Sequence, residues 1–295
     1  MAWSFSLGRL LGSELRVHVT FFLLLAWIGF AAYGTSGWAG ALVNIAFVLA
    51  LFACVVAHEF GHALMARRYG IRTPDITLLP IGGLARLERM PEKPGQEIAV
   101  ALAGPAVNVA IWAVLTAFGA KTSLALTDLD QTTTGFLQRL AVVNLFLALF
   151  NMIPAFPMDG GRVLRALLCL RMDRVAATRA AATAGQIVAF FLGFMGLSSG
   201  NPVLVLIAVF VFVAANAESQ DVAMRSVARR LMAAVEAAAF AQGRTLLVLD
   251  TRTGDAAEKL YGALGYEIAG VIPGFARHPA EDRWEGATFM YKTLV

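Results

Sequence analysis

Ala57-His58-Glu59-Phe60-Gly61-His62 closes an uncharged apolar run that begins at Ala39, and the chain turns basic soon after, at Arg67-Arg68. On a helix His58 and His62 lie four residues apart on one face, where two imidazoles can hold one zinc ion with Glu59 beside them. Zinc so held lowers the pKa of its bound water to roughly 7, and a neighbouring carboxylate takes the proton as that water attacks an amide carbonyl. The chemistry this spacing points to is hydrolysis of a peptide bond. The chain has 4 histidines, and two of them, with a glutamate between, end a segment in which ionisable groups are costly and mark function.

Working outward, 58% hydrophobic and 15% charged residues over 295 positions, with a mean hydropathy of +0.68, exclude a soluble globular composition and predict a polytopic membrane protein. Six apolar runs are long enough, or nearly so, to cross a bilayer: Val17 to Ala32, Ala39 to Ala57, Ile98 to Phe118, Phe136 to Ile153, Ala180 to Leu197 and Val203 to Ala217. The fourth carries Gln138 and Arg139, and the sixth is short. The net charge of +4 resides in loop arginines, so no nucleic-acid partner is expected. Cys54 and Cys169 sit in apolar surroundings and read as small core residues. No cleavable signal peptide is expected, because no small-residue cleavage site follows the first apolar run.

Basic residues set the orientation. Arg67, Arg68, Arg72, Arg86, Arg89 and Lys93 follow the second run, and Arg162, Arg165, Arg171, Arg174 and Arg179 follow the fourth, whereas the opposite connections hold Lys121 alone. The arginine-rich loops are therefore cytoplasmic, both termini face the cytoplasm, and the expected location is the inner cell membrane. Counted inward from Ala39, His58 lies roughly 28 Å along the helix, at the cytoplasmic edge of the hydrocarbon.

Zinc needs a third protein ligand, and Asn151-Met152-Ile153-Pro154-Ala155-Phe156-Pro157-Met158-Asp159-Gly160-Gly161-Arg162 emerges at the same face. Pro154 and Pro157 end the fourth run and Gly160-Gly161 lets the chain turn, so Asp159 can point back at the metal. Equally, Asp159 can be the N-cap of a helix over Gly160 to Leu170. The residues alone leave both open.

His58 to His62 within an apolar span, Gly104-Pro105-Ala106-Val107-Asn108 in the next, and the Asn151 to Arg162 segment together resemble the site-2 protease family of intramembrane zinc metalloproteases, over about Ser4 to Ser226. The resemblance implies His58, His62 and Asp159 as ligands of one zinc ion per chain, and Glu59 as the catalytic residue. It also implies Asn151 close to the scissile bond, where a side-chain amide donates to a developing oxyanion. Asn108 is a second candidate for that neighbourhood, or else a partner in an interhelical hydrogen bond. The implied substrate is a membrane-anchored protein cut within or near its transmembrane segment.

Between the second and third runs, Asp75 to Leu79 and Leu84 to Arg89 flank Gly82-Gly83 and predict a β hairpin at the membrane surface. An exposed edge strand there can hold an unwound substrate by strand addition. His18, at the start of the first run, and His278, in the tail, are left outside the site.

From about Val222 the composition changes. Val227 to Ala241 reads as an amphipathic helix, Thr245 to Leu249 as a strand, Asp255 to Leu264 as a helix, and Tyr266 to Val271 and Ala287 to Leu294 as strands. From Leu231 onward this resembles the C-terminal half of a GNAT acetyltransferase, which implies a thiolate-protonating role for Tyr261. That family's glycine-rich pyrophosphate loop is matched by Met224 to Leu231, which has no glycine, so backbone amides cannot approach phosphates closely. The expected fold is an all-α polytopic membrane protein of six transmembrane helices with a small surface hairpin, residues 1–222, plus a small cytoplasmic α/β half-domain, residues 223–295. The tail is expected to be a regulatory or docking module that meets a regulatory partner, a degenerate remnant, or a fusion; for the whole chain, a membrane-tethered acetyltransferase and a non-catalytic membrane scaffold are the alternatives to the protease.

Overall fold

The structure, a computed structural model, describes residues 3–80, 82–91, 93–120, 133–277, 282 and 284–294. Ile81, Lys121 and His278 lie outside them. Contacts divide the chain into two units, Met1–Glu218 and Ser219–Val295.

The first unit opens on β1 (Ser4–Leu10) and β2 (Ser13–His18), followed by α1 (Val19–Arg68), β3 (Asp75–Leu79) and β4 (Gly82–Arg86). The four strands form one sheet in the order β1-β2-β3-β4, with β2 and β3 parallel and the outer pairs antiparallel. The hairpin expected after the second run is thus the β3–β4 half of a larger sheet. The turn of its other half is Leu11-Gly12, with φ 50° and 86°, a two-residue turn that an Asn-Gly pair ordinarily announces and this sequence does not. Leu11 tolerates positive φ here with its carbonyl accepting from Arg67 Nη1 at 2.9 Å. The first apolar run, expected from Val17, is helical only from Val19. Val17 and His18 close β2, and His18 caps α1, its Nδ1 accepting from the Thr20 amide at 3.4 Å.

α1 runs through 50 residues and contains both of the first two apolar runs. At 1.5 Å per residue a straight rod of that length would reach roughly 75 Å, more than twice the hydrocarbon thickness. It reverses instead. Gly37 takes φ 64°, ψ −163°, a conformation open to glycine and strained for other residues. Residues on either side of the break then meet: the Phe21 and Phe52 rings pack edge to face at 4.4 Å, and together with Val17 and Leu78 they form a core that seats the sheet on α1.

α2 (Pro94–Ala117) starts with proline at its first turn, where the missing N–H costs nothing. It packs against α1, against α3 (Thr133–Asn151) and against α4 (Asp159–Leu168). α5 (Arg174–Ser198) and α6 (Pro202–Ala241) complete the helices of this unit, with the division between units falling inside α6. α5 meets α6 through small residues, Gly185 against Ala215, and through Gln186 Nε2 donating to Asn216 Oδ1 at 2.7 Å, the usual means of joining helices where lipid removes the hydrophobic drive. Four helices, α1, α2, α5 and α6, are long and apolar enough to cross a membrane, and Gly135–Asn151 is a shorter apolar helix. Phe118 and Phe190 are 80% and 74% exposed, as a lipid-facing surface requires. Arg139, inside the fourth run, lays its guanidinium over the Phe47 ring at 4.5 Å, a contact that offsets the cost of placing a cation there. Cys54 and Cys169 are free thiols, the first buried.

The second unit holds the remainder of α6, then β5 (Leu246–Arg252), α7 (Ala256–Ala263), β6 (Glu267–Arg277) and β7 (Trp284–Thr293). Its strands pair antiparallel in the order β5-β7-β6. Tyr266 and Met290 are buried in it, and Lys292 Nζ binds Glu236 at 2.8 Å. Burial pushes the Tyr266 phenol up to about 12.

Candidate metal centre

His58 and His62 lie in the last third of α1, both buried. Asp159 is the first residue of α4, also buried. The N-cap is Met158, with no side-chain cap bond, so the carboxylate is not spent on capping and turns toward the imidazoles. His58 Nε2 and His62 Nε2 stand 3.0 Å apart, and Asp159 Oδ2 lies 3.2 Å from each.

The triangle has the dimensions of a metal site. Ligand atoms about 2.0–2.1 Å from a tetrahedral zinc stand roughly 3.3 Å from one another. His62 Nδ1 donates to the Val100 carbonyl at 2.7 Å, which leaves its Nε2 lone pair toward the centre. Two imidazole nitrogens and a carboxylate oxygen turned on one another repel unless a cation or proton lies between them, and this donor set suits zinc. His58, His62 and Asp159 are the group of potential metal ligands found among the described residues.

Space for that triangle comes from a glycine. A Cβ on Gly104 of α2 would fall 2.6 Å from His62 Cε1 and 2.7 Å from His58 Nε2, nearer than any real side chain comes. Gly61, one turn from His58, meets the same helix, where a Cβ would sit 2.7 Å from the Ala103 carbonyl. On the other wall, Gly160 and Gly161 are α4 residues pressed against the preceding segment, a Cβ falling 2.5 Å from the Met152 carbonyl and from the Phe156 amide respectively. Their role is close approach within the helix, not the chain reversal that their sequence predicts.

Glu59 leaves α1 toward the sheet. A Cβ on Gly83 of β4 would lie 2.6 Å from Glu59 Cγ and 3.0 Å from its Oε1, so the carboxylate rests beside an edge strand. Asn151 ends α3, half-buried, at the mouth of the segment that returns Asp159. Asn108 is buried on α2, and its Oδ1 has no hydrogen-bond partner among the described residues. Gly104 and Gly83 are the site residues that residue-by-residue reading missed. A glycine beside Pro105 in an apolar helix was the available signal for the first.

Known proteins are similar to this chain in family, sequence and fold. The model of peptidase family M50 matches residues 46–126 and 122–195. The chain is 36% identical over 235 residues to zinc metalloprotease MJ0392 of Methanocaldococcus jannaschii, covering 79% of this chain and 66% of that one. It spans 43% and 58% of two further relatives, from Synechocystis sp. and Mycobacterium tuberculosis. Among solved structures it is similar to the site-2 protease from Methanocaldococcus jannaschii, with a TM-score of 0.56 and 35% identity, over 74% of this chain and 95% of that one. A family model extending over half of its length, centred on the helices that carry both histidines and the aspartate, makes this chain a member of peptidase family M50.

Proposed function

We propose that the protein is an intramembrane zinc metalloendopeptidase that hydrolyses a peptide bond within or near the transmembrane segment of a membrane-anchored protein. The observation that carries this is the buried triangle of His58, His62 and Asp159. His58, His62 and Asp159 would hold a zinc ion, which when bound would supply a water of pKa about 7 and a Lewis acid for the scissile carbonyl. His62 is held in the required tautomer by the Val100 carbonyl. Glu59 accepts the proton of the attacking water and returns it to the leaving amine. The Asn151 amide donates to the oxyanion.

The substrate is presented by strand addition. β4 is an edge strand, and Glu59 rests on its Gly83. A transmembrane substrate must unwind before its amides are open to attack, and an unpaired strand edge beside the general base supplies its backbone with partners.

In the bilayer the two limbs of α1, then α2, α3, α5 and α6, make six crossings. The arginine-rich connections and both termini face the cytoplasm of the inner membrane, with residues 1–222 as the protease domain and 223–295 as a cytoplasmic segment. The segment resembling half a GNAT acetyltransferase serves as a docking module for a regulatory partner. Met224 to Leu231, aligned with that family's phosphate loop, lies mid-way along α6, where amides are engaged within the helix and offer phosphate no helix N-terminus. This favours docking over acetyl transfer.

The test is cleavage of a single-span protein by the purified chain in proteoliposomes. Glu59→Gln is expected to lower cleavage by roughly 10²–10⁴-fold with zinc still bound at one ion per chain. Undiminished cleavage by that variant would overturn the assignment.

A further inference from the structure

Arg165, in the second turn of α4, is 0% exposed, a costly place for a permanent cation. Its Nε donates to Glu97 Oε1 at 2.7 Å and its Nη1 to Glu218 Oε1 at 2.7 Å, with Nη2 also against Glu97. Glu97, 3% exposed in the first turn of α2, takes Arg174 of α5 at its other oxygen, 3.4 Å away. Two cations and two carboxylates thus balance at a node where α2, α4, α5 and α6 meet. The guanidinium also lies over the Phe156 ring at 4.9 Å. Phe156 itself is pinned to α5, its amide donating to the Ala181 carbonyl at 3.2 Å.

The site explains why such a node is placed there. On α2, Glu97, Val100 and Gly104 follow at helical spacing along one face. Val100 orients His62, and Gly104 supports both imidazoles. Glu97, less than a turn before Val100, grips the helix that begins with Asp159. The imidazoles and the carboxylate are therefore referenced to one short stretch of α2, although 97 residues separate His62 from Asp159. An apolar contact would stabilise the packing at least as well, but it would let α4 slide or rotate, whereas a forked guanidinium between two carboxylates sets both position and rotation.

We propose that Arg165, through Glu97, is a positioning residue for Asp159: it fixes α4 against α2 so that the carboxylate completes the metal triangle. The proposal rests on the ligand assignment above. Its test is zinc affinity, measured on the full-length protein in detergent by competition with a chromophoric chelator. In the double variant Glu97→Met/Arg165→Met the buried charges are replaced by apolar chains of similar length, while Glu218 and Arg174, both partly exposed, remain solvated. The variant is expected to keep its helical content and thermal midpoint yet bind zinc roughly 10–100-fold more weakly, with cleavage restored by excess zinc. A folded double variant with parental zinc affinity overturns the proposal. If that variant fails to fold, Arg165→Lys decides: it keeps the charge but not the fork, and unchanged zinc affinity overturns the proposal while a weakened one supports it. Asp159→Ala, run alongside, separates the two levels. Should it bind zinc like the parent chain, the ligand assignment itself fails; should it alone lose zinc, only the positioning role fails.

Discussion

The Val100 carbonyl accepts the Nδ1 proton of His62 at 2.7 Å, so the backbone of one helix sets the tautomer of an imidazole on another. That bond fixes where His62 Nε2 points and makes the α1–α2 spacing a determinant of metal affinity.

Gly104 is the most sensitive point of that spacing. Gly104→Ala puts a methyl group 2.7 Å from His58 Nε2 and nearer still to His62, so one helix must retreat or an imidazole must turn away. Zinc affinity is expected to fall by at least roughly 10–100-fold, the scale seen when the groups orienting metal ligands are lost. Metal analysis after dialysis against a chelator measures it; full retention of zinc would refute the contact.

Glu59→Gln leaves the triangle intact and removes the carboxylate proposed as the proton acceptor. Cleavage is expected to fall by roughly 10²–10⁴-fold, the usual contribution of a positioned acid or base, with unchanged zinc content. Single-turnover cleavage of a labelled transmembrane peptide provides the number.

Gly83→Ala tests Glu59 without altering it. The added methyl lies 2.6 Å from Glu59 Cγ, close to the root of the side chain, so the carboxylate must shift. The expected signature is a lower kcat with zinc retained. Loss of zinc instead would mean that β4 supports the metal ligands and not the base.

Gly37→Ala places a Cβ at φ 64°, ψ −163°, a region essentially restricted to glycine that costs an L-residue about 1–3 kcal/mol. A lower thermal midpoint is expected, with zinc content near one ion per chain, because the turn lies at the opposite end of the second limb of α1 from His58. A raised midpoint would mean that the two limbs tolerate a continuous helix.

Much of the site was legible because helical period and chemistry coincide in it: His58 and His62 share a face by spacing alone. Asp159 was harder. An aspartate before Gly160-Gly161 reads equally as a cap, and only the backbone, which makes Met158 the N-cap, frees its carboxylate. The apolar runs from Val17 and Ala39 were visible as separate segments, but their union in one helical stretch reversing at Gly37 depends on tertiary contacts such as Phe21 with Phe52. β1 and β2 were invisible since Leu11-Gly12 lacks the usual turn residues and draws on Arg67, 56 positions away, for support. The node at Arg165 was hidden in the same way. Counted as a loop charge, Arg165 helped set orientation, while its burial arises only once four helices meet.

The 97 residues between His62 and Asp159 also separate them in time. On a ribosome adding about 5–20 residues per second, the histidine pair is made roughly 5–20 s before its carboxylate. A nascent chain carrying two of three ligands grips metal weakly, so the enzyme is born inert and becomes competent only when α4 docks, with most of its helices already synthesised. An unfinished or truncated copy is thereby kept from cutting its neighbours in the bilayer.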